Sequence, residues 1–365
     1  MMRYRCIDSG KQVARSTGTT SEKEAIKIAA KWEAELREGR YQRTSRMPWE
    51  DFRRMHEDAT IEGQKLATVR NYASTLNAFE THCRPTRVAD LNTGRVTAFV
   101  NELLKERQNR DDTGKVVTFR ISEASVARHL RHLKAVARWA NRQGLLPVLP
   151  SFDMPKRAVA SKMKVRPITG EEFDGILDDT AGVVSEAAAE TWKLLLRGLW
   201  TSGLRLSEAM ALRWDHQPDG VSVQLDGKHS VLAFDGDSQK SGRTQLVPLA
   251  PEAVELLEPI RRQRRFVFAP LTKLGLPMAR DAQKAGKIIG KIGEAAKVVT
   301  EPGTDRTATA HDLRRAFGAR WSKRVMPAVL KKIMSHADIQ TTMTFYVLQN
   351  ARITSSELWA AAGNN

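Results

Sequence analysis

The chain is poor in cysteine, in tyrosine and in acid, and each shortage excludes something. Only Cys6 and Cys83 occur in 365 residues. Neither has a close cysteine neighbour, which rules out a disulfide framework and a four-cysteine zinc site and fits a reducing compartment. No stretch approaches the roughly 18 consecutive apolar residues that a membrane span requires, and the basic, polar N-terminus lacks the apolar core of a secretory signal. The sequence therefore predicts a soluble, cytoplasmic protein with no membrane partner. It also lacks a phosphate-binding glycine loop, a His-Glu-x-x-His helix and a nucleophile elbow. No nucleotide, metal or other cofactor is expected.

What is abundant is positive charge. Lys and Arg number 59 against 42 Asp and Glu, a formal net charge of +17. Hydrophobic residues make up 41% and charged residues 28%, enough apolar material to bury cores rather than remain disordered. The length allows two or three domains. A surplus of this size favours a polyanion, because each phosphate neutralised by a cation releases condensed counterions. Double-stranded DNA leads the candidates. The surplus runs through every part of the chain, so no isolated tail accounts for it; the alternative is that the charge serves solubility alone.

Residues 1–46 combine two short extended segments, Met2 to Ile7 and Gln12 to Ser16, with a helix from Ser21 to Glu38. Ser21 and Glu24 make a capping box, and Ala25, Ile28, Ala29, Trp32 and Leu36 form an apolar stripe. Pro48 marks a break, after which residues 47–143 read as helices separated by polar turns. In the helix from Lys65 to His82, Val69, Tyr72, Leu76 and Phe79 recur at helical spacing, leaving Lys65, Arg70 and Asn71 on the other side. The helix from Glu123 to Arg142 sets Val126, Leu130, Leu133 and Ala137 on one face and Arg131, Lys134, Arg138 and Arg142 on another. That cationic face suits DNA contact, and an ordinary solvated face is the alternative. A proline-punctuated basic linker, 144–166, follows.

Beyond the linker, Thr169 to Leu177 and Glu186 to Ser202 are predicted helices, the first with a Thr169/Glu172 capping box. The period then changes to that of strands at Val221 to Leu225, Ser230 to Phe234 and Thr244 to Leu249. Helices are expected again at Glu252 to Arg265, Ala279 to Lys297, Ala310 to Arg324, Pro327 to Ser335 and Thr341 to Gln349.

The chemistry-bearing residues lie in this last half. His311 and Arg314 are three apart on a predicted helix and share a face. His336 follows in Ser335-His336-Ala337-Asp338, Tyr346 comes ten residues later, and Arg205 stands earlier in Gly203-Leu204-Arg205-Leu206-Ser207-Glu208. Singly, each has a structural explanation: a surface cation, a packed aromatic, or a pair of Arg205 with Glu208.

As an ordered set they resemble the catalytic signature of the tyrosine recombinases, the lambda-integrase and Xer-like family of DNA strand-exchange enzymes. Lys240, just before Val247-Pro248-Leu249, falls where that family carries a hairpin lysine, with Lys228 as the alternative. The resemblance covers residues 166–350 best. It implies a mainly α protein in which residues 47–143 form a helical core-binding domain. Residues 167–365 would form a mixed α/β catalytic domain, mostly helical with a small antiparallel sheet, and 1–46 a β-plus-helix module like those that bind arm-type sites. It further implies catalytic residues Arg205, Lys240, His311, Arg314, His336 and Tyr346, a 3′-phosphotyrosine intermediate, and strand rejoining without ATP. A tetramer on DNA during synapsis, accessory directionality proteins and a prokaryotic or phage source are implied as well. Two departures stand out: Ser335 replaces the glycine common before the second histidine, and the alternative spacing of nine would put Phe345, which cannot attack, at the nucleophile position. A non-cleaving DNA-binding regulator of the same fold and a type IB topoisomerase are the competing functions.

Overall fold

A computed structural model describes residues 2–5, 12–37, 46–61, 63–64, 66–110, 116–155, 165–217, 220–236, 244–262, 264–347 and 359. The chain divides into two compact units, Met1–Val159 and Ala160–Asn365. Among the described residues no helix is long and apolar enough to cross a membrane.

The first unit opens with an antiparallel hairpin of β1 (Met2–Arg5) and β2 (Gln12–Arg15), followed by α1 (Glu22–Arg37). Ala25, Ile28, Ala29 and Trp32 are its half-buried positions. At its start the Ser21 N–H donates to Thr19 Oγ1, which donates to Glu24. Next come α2 (Trp49–Ile61), α3 (Leu66–Cys83), α4 (Thr93–Leu104) and α5 (Glu123–Arg142). Asn92 caps α4 and Ser122 caps α5, each accepting the N–H three residues on and so satisfying a donor the helix cannot. The apolar positions named on α3 and α5 meet where they should: Leu76, Phe79, Val126, Leu130, Leu133 and Ala137 are at most 1% exposed and pack with Phe52 and Phe99. Burial of each such large side chain contributes about 1.5–3 kcal/mol.

Between α4 and α5 lies an antiparallel hairpin, β3 (Arg107–Arg110) with β4 (Val116–Phe119), in a stretch expected to be helix and turn. The β-branched and aromatic run Val116-Val117-Thr118-Phe119 is the signal for it.

In the second unit, α6 (Gly170–Asp178) has the expected capping box: the Thr169 N–H donates to Glu172 at 2.9 Å and the Glu172 N–H to Thr169 Oγ1 at 3.2 Å. Then follow α7 (Thr180–Val184), α8 (Glu186–Ser202) and α9 (Leu206–Ala211). A four-stranded sheet comes next, with β5 (Leu212–Arg213), β6 (Val221–Gln224), β7 (Val231–Phe234) and β8 (Gln245–Pro248) in that spatial order. The three expected strands pair antiparallel, in register Val221↔Phe234 and Phe234↔Gln245. The two-residue β5 joins β6 in parallel, so the sheet is mixed; two residues are too few to show a period.

Among the described residues five further helices follow: α10 (Pro251–Leu257), α11 (Ala282–Ala295), α12 (Ala310–Ser322), α13 (Pro327–Ile333) and α14 (Ile339–Val347). The helix expected to reach Arg265 instead gives way to a 3-10 turn at Glu258–Ile260, because Pro259 lacks the N–H that an α-helix requires. Trp192, Leu195, Leu196 and Leu199 of α8 are buried against Phe234, Val247, Phe268, Ile289 and Leu313. A smaller core of Ala250, Phe317, Leu330, Met334 and Phe345 joins α12, α13 and α14.

Candidate active site

Helix α8 must stop where the chain turns into the loop that carries Arg205. Gly203 makes that turn at φ +64, with the ring of Phe317 packed so close that an added Cβ would lie 2.3 Å from it. Only glycine fits both demands. Two residues later Arg205 opens α9, its side chain nearly half exposed. Glu208 accepts the Arg205 N–H at 2.8 Å and its guanidinium at 2.6 Å, so the carboxylate orients the cation.

Arg314, one turn after His311 on α12, is almost wholly buried. Its guanidinium donates to the carbonyls of Gly203 and Met334, and it lies 4.0 Å from Glu208. One side chain thus joins the backbone two residues before Arg205 to the backbone two residues before His336. Three segments far apart in sequence are drawn to one place. Burial, followed by the charge of Arg205, lowers the Arg314 pKa to about 10.

His336 follows a tight turn in which Ser335 adopts φ +48, the left-handed conformation that glycine takes without strain. The ring stacks on Phe345 at 6.1 Å and 10°, and its Nδ1 lies 2.9 Å from the hydroxyl of the buried Thr342. Burial, and then the charges of Arg314, Arg205 and His311, push the His336 pKa down to about 4. His311 is lowered as well, by desolvation first and then by Arg315 and Arg314. Its side chain nevertheless reaches the surface, so the ring is flanked by protein rather than enclosed. Both imidazoles are neutral near neutral pH.

Arg205, His311, Arg314 and His336 therefore form one cluster of two guanidiniums and two neutral imidazoles. Tyr346 does not join it. Its hydroxyl donates to the Val325 carbonyl at 2.5 Å, and burial alone raises its pKa. The phenol is parked against the connection between α12 and α13, while its neighbour Phe345 fills the core.

Lys240 and Lys65 lie outside the described residues. Lys228 is exposed in the β6–β7 turn, at the opposite end of β7 from the β7–β8 connection that carries Lys240. Arg70 and Asn71 are exposed on α3, as are Arg131, Arg138 and Arg142 on α5; Lys134 is half-buried, 6.0 Å from the ring centroid of Phe152. Among the described residues no three His, Cys, Asp or Glu side chains are placed to hold a metal ion.

A family model described as the phage integrase family matches residues 167–352, just over half of the chain, and one described as the phage integrase N-terminal SAM-like domain matches residues 61–144. The chain belongs to the phage integrase family. Over 235 residues it is 26% identical to tyrosine recombinase XerD of Pseudomonas putida, covering 63% of this chain and 72% of that one. Tyrosine recombinase XerC of Mesorhizobium japonicum is 25% identical over 235 residues, covering 63% and 70%. In fold the chain is similar to a lambda integrase dimer bound to a COC′ core site, with TM-score 0.59, 18% identity and coverage of 94% and 91%. It is also similar to the Tn1549 transposon integrase in complex with a circular intermediate DNA, with TM-score 0.58, 16% identity and coverage of 85% and 98%. This integrase is a tyrosine-type site-specific DNA recombinase.

The sequence pattern of the integrase did not reveal Thr342, which holds the His336 ring, or the Val325 carbonyl, which holds Tyr346. A threonine six residues after a histidine and a backbone oxygen carry no sequence signal of their own.

Proposed function

We propose that Arg205 and Arg314 bind the non-bridging oxygens of a scissile DNA phosphate, with His336 donating a further hydrogen bond, and that Tyr346 is the nucleophile. The joining of the Arg205, Arg314 and His336 segments through one buried guanidinium carries this reading. Guanidinium forks stay charged and match phosphate oxygens bidentately, so they stabilise the negative charge that builds during phosphoryl transfer. For the neutral His336 to donate from Nε2, its Nδ1 must accept from the Thr342 hydroxyl, which lies 2.9 Å away.

For attack, Tyr346 must leave Val325 and enter the cluster. His311, neutral at working pH, takes the phenolic proton; the tyrosine oxygen forms a bond to phosphorus as the bond to the 5′ oxygen breaks. Lys240 protonates the departing 5′-hydroxyl. The 3′-phosphotyrosine ester retains the bond energy, so a partner strand's 5′-hydroxyl reverses the step. Residues 1–46 act as the arm-site module, 47–143 as the core-binding domain, 144–166 as the linker and 167–365 as the catalytic domain. The exposed Arg70, Asn71, Arg131, Arg138 and Arg142, with Lys65 and Lys134, contact duplex DNA. A tetramer synapses the sites, as in the lambda integrase tetramer bound to a Holliday junction, whose fold this chain resembles. The work is done in the cytoplasm.

The test is a nicked suicide duplex incubated with the full chain in chelator. The expected result is a covalent protein–DNA species in the parent and none in Tyr346→Phe. Relaxation of supercoiled DNA lacking the site, at a rate like that of the specific reaction, would favour the topoisomerase reading instead.

A further inference from the structure

The reaction above uses His311 and Arg314 but not the carboxylate between them. Asp312 is wholly buried, 0% exposed. A carboxylate removed from water is costly unless it is fully paired, and this one is surrounded by donors. It accepts the Thr309 N–H at 3.0 Å and the Thr309 hydroxyl at 2.7 Å. It also accepts the Arg306 guanidinium at 3.1 and 3.2 Å and that of Arg315 at 2.7 Å.

Those bonds do two things. They close the first turn of α12, the turn that carries His311, onto its cap at Thr309. They also tie that turn backwards. Arg306 Nη1 donates to the hydroxyl of Thr300 at 3.1 Å, and the Arg306 carbonyl accepts the Thr300 N–H at 3.0 Å. Thr300 is itself 0% exposed, and its carbonyl accepts the N–H of Arg166 at 2.8 Å. Arg166 stands at the entry of the chain into the catalytic unit, its guanidinium gripping Glu172, the capping residue of α6. A continuous path of hydrogen bonds thus runs from that entry point to the helix that presents His311 and Arg314.

We propose that Asp312, with Arg306 and Thr300 behind it, is a positioning residue for strand cleavage: it locks the first turn of α12 to the entry of the catalytic unit, so that His311 and Arg314 keep fixed directions toward the phosphate. The inference rests on the strand-cleavage reading. Asp312 touches no reacting atom. Its influence is through geometry and through charge, since at His311 it acts against Arg315, Arg314 and Arg205. Loss of its charge leaves the guanidiniums' effect on His311 less balanced and moves the His311 midpoint further down.

The experiment uses the full chain and a nicked duplex carrying the site that the chain selects from a random pool. Duplex affinity and the rate of covalent-complex formation at saturating DNA are measured across pH. For Asp312→Asn the expected rate is lower by on the order of 10- to 100-fold, the usual cost of misplacing a reacting group by a fraction of an ångström to an ångström. Affinity should stay within about twofold of the parent, and the acidic limb of the rate profile should move down. A purely structural role moves neither the limb nor the ratio of rate to affinity. Two milder variants carry the test if Asp312→Asn does not fold. Arg306→Met should slow cleavage and Arg306→Lys should recover part of it; Thr300→Val, which removes one hydroxyl and no charge, should give a smaller loss in the same direction. Variants that cleave like the parent at every pH, or that lose cleavage only in proportion to folded protein or bound DNA, overturn the inference. A parent that forms no covalent complex overturns the strand-cleavage reading and this inference with it.

Discussion

Both units depress the pKa values of histidines, but in different surroundings. In the first unit His56 is 2% exposed, packs edge-on to Trp139 at 5.0 Å, and is lowered by desolvation, with the charges of Glu57 and Arg53 acting in opposite senses. His129 and His132 share the hydroxyl of Thr75, at 3.0 and 3.3 Å. These rings are core side chains with a polar edge. In the second unit desolvation is again the largest cause, but the guanidiniums that act on His336 next, Arg314 and Arg205, come from two other segments of the chain, whereas those acting on His129 and His132, Arg128 and Arg131, belong to the same helix as the rings. A depressed histidine is therefore no mark of a site by itself, nor is a cation beside it on its own helix; cations that the fold brings together from distant segments are.

The largest expected difference between the two regions is chemical. Arg314→Lys keeps the charge but cannot bridge the Gly203 and Met334 carbonyls while meeting a phosphate. It should lower covalent-complex formation by about 10²–10³-fold, the usual loss for one oxyanion-stabilising donor. His56→Leu in the first unit should leave the cleavage rate at saturating DNA unchanged. Equal losses in the two would erase the distinction.

His336→Gln comes next, at about 10²-fold in the same assay, with the circular-dichroism melt showing a folded protein. His129→Ala should do the reverse, costing about 2–4 kcal/mol in urea unfolding as a buried ring is removed, with cleavage by the folded fraction intact.

Titration sharpens the contrast further. Each lowered histidine is neutral in the folded chain and more basic in the unfolded one. Between the ordinary 6.5 and, for His336, about 4, the unfolded chain holds more protons. The stability these residues contribute is full above 6.5 and is lost as pH falls through that window. Bound duplex should separate the two classes: a phosphate beside His336 raises its NMR midpoint, while His56, away from any such charge, keeps its own. A shift at His56 equal to that at His336 would contradict the placement of the phosphate.

The smallest expected effect concerns the turn before His336. Ser335→Gly relieves a left-handed residue at φ +48 and should stabilise the fold by up to about 1 kcal/mol in urea unfolding, with no change in cleavage.

How much of this was legible in the sequence depended on what kind of signal each feature leaves. The helices of the first unit showed because Leu76, Phe79, Leu130 and Leu133 repeat at the spacing of one buried face. The order Arg205, His311, Arg314, His336, Tyr346 showed through its resemblance to the tyrosine-recombinase signature, since each residue singly has a structural explanation. Strand β5 did not, since Leu212 and Arg213 become a strand only by pairing with Val221 and Ser222. The parked state of Tyr346 was hidden as well, because Val325 contributes a carbonyl that every residue possesses. Asp312 was in plain view within the His311–Arg314 motif, but its role depends on Arg306 and Thr300, which fold back from outside it.

The central claim is that Tyr346 becomes joined to DNA within the Arg205–Arg314–His336 cluster. Proteolysis and mass spectrometry of the complex trapped on a nicked duplex test it most directly. The account predicts one DNA-bearing peptide, with a 3′-phosphate on Tyr346. A link to another residue, or through a 5′-phosphate, would contradict it.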